Sequence, residues 1–208
     1  MSGFETHLRW GLATHAVLVA ATASAYLLGA CSLGPLALVC VSLPATLAGA
    51  LFPDLDHQAS IPHRYGADVC PVLVAAVALV VGLRYRPAIA ATVTRATGRP
   101  GAFLGGVVVA SLAWSAWVGT RRLFPVLRPT HRTVTHRLST GVVVALCVGA
   151  VVSLLLGTDG SVGAPVRAVA LTESAAFLLG FLSHLGADGL HREYSERVRA
   201  LVWRRSDA

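Results

Sequence analysis

The chain has 208 residues, 55% of them hydrophobic and 13% charged, with a mean hydropathy of +0.67. Soluble domains carry roughly 25% charged residues, so the composition excludes a water-soluble globular protein and indicates a membrane-embedded one. The formal charge of +7 arises from 17 basic residues, all arginine, against 10 acids; because these arginines stand between apolar runs and not along one helix face, they read as topology signals, and nucleic-acid binding is excluded.

The predicted architecture is all-α, a polytopic transmembrane helical bundle of about six segments forming a single domain over residues 1–208, with a short basic tail from about residue 192. The first segment runs from about Gly11 to Ala30 and the second from about Leu33 to Phe52, a tight hairpin in which Pro44 should kink the second helix. Leu28-Gly29-Ala30-Cys31 imitates a lipoprotein cleavage box. With only Arg9 against Glu5 ahead of the run and His15 inside it, the first segment is expected to stay in place.

The third segment, about Val69 to Leu83, is short for a span of about 20 residues and reads as a candidate re-entrant element, extended by snorkelling Arg84 and Arg86. Ala88 to Pro100 reads as a polar link. The fourth segment covers about Ala102 to Val118, with Trp114 and Trp117 as an interfacial belt, the fifth about Leu138 to Gly157, and the sixth about Val166 to Leu185. Cys31, Cys40, Cys70 and Cys147 show no CxxC spacing and read as small buried hydrophobes.

Three short stretches carry ligand-type side chains at apolar boundaries: Leu51–His57 (LFPDLDH), His131–Arg137 (HRTVTHR) and Ser183–Asp188 (SHLGAD). In the first, Asp54 and Asp56 can converge in a turn and His57 adds an imidazole. Carboxylate with imidazole is the donor mix of zinc, manganese or iron sites; the alternative is a solvated turn capping a helix or pairing with Arg64. In the second, Thr133 is expected to cap a helix whose first turn holds His136, with His131 in the loop and Arg132 and Arg137 flanking as anion-binding groups. In the third, His184 and Asp188 are four apart, on one helix face and about 6 Å apart at Cβ, either as metal ligands or as an ordinary helix-end pair.

Six spans place the amino terminus, the loop Pro53–Asp68, the loop Arg121–Arg137 and the tail on one side of the membrane, so all three stretches share a face. Twelve arginines lie on that side and five on the other, which assigns the motif face to the cytoplasm of an inner or plasma membrane. His15, about one turn inside the first segment on the same side, needs a partner and is the expected further ligand. His7 is expected to be solvated and His63 to sit in a loop. Glu173 lies roughly 16 Å deeper than His184 along the helix and is outside the site.

In this order and between apolar segments, PDLDH, HRTVTH and SHLGAD resemble the inner-membrane metal-dependent hydrolase family, the YdjM-like proteins, to whose first-segment histidine His15 corresponds. The chain departs from that pattern at Thr133, where glycine is common, and at His191, where threonine often follows the aspartate. The resemblance implies a multi-span protein with a metal site and a hydrolase activity on an unspecified substrate.

The resulting expectation is a membrane hydrolase using one or two divalent ions, zinc or manganese. Its metal ligands are His15, Asp54, Asp56, His57, His131, His136, His184 and Asp188, and its catalytic residues are Asp54 or Asp188 as base and Arg132 on an anionic group of a phosphoester or lipid-like substrate. Two rivals are a non-catalytic membrane protein or divalent-metal carrier, and a phosphohistidine-type lipid phosphatase, against which the chain lacks a PSGH stretch and a lysine-led motif.

Overall fold

The computed structural model describes residues 3–56, 60–123, 135–157 and 162–206, with no strand among them. The helices are α1 (Phe4–Leu27), α2 (Leu33–Val41), α3 (Leu43–Leu51), α4 (Ile61–Arg84), α5 (Arg86–Thr97), α6 (Gly101–Leu123), α7 (Leu138–Leu156) and α8 (Ala164–Ser206), with a short 3-10 helix at Phe52–Asp56 after α3. Five of them are long and apolar enough to cross a membrane, and α2 with α3 make a sixth if the bent pair is one span.

The bend has a local cause. Pro44 has no N–H, so the carbonyl four residues earlier, that of Cys40, loses its helical donor. The chain breaks at Ser42, and the two halves meet at 43°. The Ser42 hydroxyl, fully buried, donates to the Val39 carbonyl at 2.9 Å and helps satisfy the break.

The third segment is longer than its apolar run. Ser60 caps α4 by accepting the His63 N–H at 3.1 Å, and Pro62 stands in the first turn, where a missing N–H costs nothing. Helix therefore starts at Ile61, eight residues before the apolar run, and its 24 residues rise about 36 Å. His63 lies in that first turn and not in a loop, with its Nδ1–H donated to the Leu55 carbonyl at 2.6 Å. The expected polar link is also largely helical. α5 opens with Pro87 and ends at Gly98, which takes the left-handed conformation at φ 68° and donates its N–H to Thr94.

α8 is the centre of the packing and touches α1, α3 and α7, whereas α5 and α6 pack with α4 to one side. Small residues let the backbones meet, as in membrane helix pairs. A Cβ on Gly49 would strike the Phe177 carbonyl oxygen, and one on Gly180 would strike that of Thr46, so α3 and α8 cross at backbone contact. Phe181, fully buried, fills the space that Gly141 leaves on α7, and Phe52 sets its ring edge against Phe177 at 5.7 Å.

Candidate metal centre

Each element around α8 delivers one polar group to the same end of the bundle. His7 comes from the first turn of α1, Asp54 from the 3-10 helix after α3, His136 from the turn just before α7, and His184 with Asp188 from α8.

Their heteroatoms converge. Asp188 faces three imidazoles, with Oδ1 3.6 Å from His7 Nε2 and Oδ2 3.6 Å from His136 Nε2 and 3.8 Å from His184 Nε2. Asp54 faces two, at 3.8 Å from His7 Nε2 and 3.9 Å from His184 Nε2. The Nε2 atoms of His136 and His184 are 3.4 Å apart. The rings of His7 and His184 stack at 3.7 Å and 14°, while His136 stands edge-on to His184 at 5.2 Å.

The tautomer of His184 follows from its other nitrogen. Nδ1 lies 2.8 Å from the Ala50 carbonyl oxygen, which can only accept, so Nδ1 carries the proton and Nε2 turns a lone pair into the cluster. A carbonyl behind a ligand histidine is the usual orienting arrangement in metal sites. Lone pairs and carboxylates facing one another at these separations form a group that could hold a cation between them.

The donor set fits a divalent transition metal. Ligands about 2.1 Å from a tetrahedral ion stand about 3.4 Å from each other, close to the 3.4–3.9 Å found here. Two overlapping triads could hold the ion, His7–His184–Asp188 and Asp54–His136–His184. Both use His184, whose single lone pair at Nε2 could serve only one ion at a time, so the two triads are alternative or merged sites for one ion. Side-chain exposure is 17% at Asp188 and 19% at Asp54 against 0% at His184 and 1% at His7, so the cluster opens to solvent on its carboxylate side.

His7, expected to be solvated, is buried in this cluster. The expected first-segment ligand, His15, is elsewhere. It lies eight residues on, about 12 Å deeper along α1, and its Nδ1 meets Thr46 Oγ1 at 3.2 Å, while the Thr46 hydroxyl donates to the Ser42 carbonyl at 3.3 Å. Between the two histidines Gly11 rests on Ala50, which closes α1 against α3 and separates His15 from the cluster. Depth was the signal for His7: Asp54 and His184 both stand at the ends of apolar runs, and on α1 the matching position is in its first turn.

The structure thus brings together Asp54, His136, His184 and Asp188 from the expected set and leaves His15 apart. Arg137 occupies the N-cap of α7, in extended conformation with no side-chain hydrogen bond to the helix, and Thr133, expected to cap it, lies outside the described residues. His57, His131 and Arg132 lie outside the described residues, as does the side chain of Asp56. No protein-family model, curated protein or solved structure matches the chain.

Proposed function

We propose that the protein is a membrane-embedded metal-dependent hydrolase whose centre holds one divalent ion, zinc or manganese. The reading rests on the convergence of three imidazole nitrogens and two carboxylates from four elements, at an end of the bundle that water reaches. A divalent ion supplies Lewis acidity for activating water and polarising a scissile bond at neutral pH.

In this reading His7, His184 and Asp188 hold the ion and His136 adds a further ligand. Ala50 fixes the His184 ring through its carbonyl. Asp54, which touches two imidazoles where Asp188 touches three, remains to take the proton from the attacking water. The motif resemblance to the YdjM-like hydrolases supports the same class. The exposed Arg137 beside His136 favours an anionic substrate, a phosphoester or a lipid headgroup ester. The arginine excess on the motif side favours a cytoplasmic position for the site.

Metal analysis of protein purified in mild detergent without chelator tests the centre. About one zinc or manganese per chain is expected in the wild type and none in His184→Ala. Hydrolysis of aryl phosphoesters and phospholipid esters should stop on chelation and return with the metal. A wild type free of transition metal, or hydrolysis indifferent to chelator, would refute the proposal.

A further inference from the structure

At the other end of the bundle, α7 and α8 flank an open groove of about 290 Å³. Leu146 and Ala150 form one wall and Ala170 and Leu171 the other, with Ser153 and Arg167 at its outer end. From Leu146 to Ser153, and from Ser174 back to Arg167, each helix advances seven residues, so the groove is about 10 Å long and runs parallel to the helices. Both helices are long and apolar enough to cross a membrane, and Leu146 and Leu171 are 65% and 70% exposed, so the groove opens toward the surface that faces lipid.

Arg167 is the single charged group on this groove. It is exposed, and among the described residues no carboxylate pairs with it. Nor is it drawn to the negative end of α7. Arg84 already holds that end, donating from Nη1 to the carbonyls of Leu154 at 3.0 Å and Leu155 at 3.4 Å. A guanidinium at the mouth of an apolar, lipid-facing groove matches one ligand chemistry: an anionic headgroup carrying an acyl chain.

We infer that the α7–α8 groove binds one anionic phospholipid, with an acyl chain against Ala150 and Ala170 and its phosphate on Arg167. The site is separate from the metal centre and does not depend on its function.

The test is native mass spectrometry of the full chain, delipidated in mild detergent and titrated with phosphatidylglycerol, phosphatidylcholine or inorganic phosphate. One phosphatidylglycerol per chain is expected, held at least about tenfold more tightly than phosphatidylcholine and not displaced by millimolar phosphate. Arg167→Gln should remove the preference, and Ala150→Trp, which fills the groove from an exposed position, should weaken both lipids. Equal binding of the two lipids, or an Arg167→Gln protein that keeps the preference, would overturn the inference. So would displacement by phosphate, since the headgroup alone would then account for binding. Arg167 is exposed, so its variant reports even where Ala150→Trp does not fold.

Discussion

His184 can give the cluster a single lone pair because its other nitrogen is committed to the Ala50 carbonyl, and that commitment makes it the residue on which the centre turns. His184→Ala should abolish metal retention. His7→Ala should reduce metal affinity by more than the tenfold to hundredfold typical of removing an outer-shell partner, whereas His15→Ala should leave metal content unchanged and cost about 1 kcal/mol of stability through the lost Thr46 hydrogen bond. Isothermal titration with zinc, paired with thermal unfolding, separates these outcomes; equal metal loss in the His7 and His15 variants would contradict the placement of both. The two carboxylates divide in the same way. Asp188→Asn should lower metal content, while Asp54→Asn should keep the metal and lower turnover by about 10²- to 10⁴-fold, the range for a general base. Metal analysis beside turnover on the same preparations reads both.

The helices reach these positions through contacts that tolerate no added volume. Where α3 crosses α8, Gly49 and Gly180 each stand against a backbone carbonyl of the other helix, and a carbonyl cannot rotate aside as a side-chain tip can. Gly180→Val should therefore destabilise by about 3 kcal/mol or more, at or beyond the upper end of ordinary overpacking. It should also lower metal affinity, because the same crossing sets Ala50 against His184. Gly106, on the open face of α6 with nothing near its absent Cβ, is the contrast: Gly106→Ala should be neutral or stabilising by up to about 1 kcal/mol. Unfolding midpoints in detergent check the pair. The bend at Ser42 and the early start of α4 show the same dependence on single residues. Pro44 breaks one helix that hydropathy draws as continuous, and Ser60 with Pro62 begins another in sequence that hydropathy draws as loop.

Closure of the histidine–aspartate cluster bears on the number of crossings. His7 near the start of α1 and Asp54 after α3 are 3.8 Å apart, although α1 alone rises about 36 Å. The bent α2–α3 pair must therefore return the distance that α1 covers, which favours the reading in which the pair is one span and the candidate crossings number six. A reporter fused before α1 and another fused after α8 should then report the same side, the cytoplasm if the arginine excess governs orientation; opposite sides for the two would contradict six crossings. Three of the five arginines that oppose this orientation have structural partners, Arg84 on α7, Arg86 on the Ala102 carbonyl and Arg95 on the Thr92 hydroxyl.

Helical class, a count of five to six apolar segments, and the shared end of Asp54, His136, His184 and Asp188 were legible in the sequence, because hydropathy and parity depend only on the order of apolar runs. The membership of the centre was only partly so. Asp54, His184 and Asp188 could be read from their boundary positions, but the choice between His7 and His15 depended on where α1 begins and on how closely Gly11 meets Ala50. Those are distances between helices far apart in the chain, and the packing of α1 and α3 around α8 decided them.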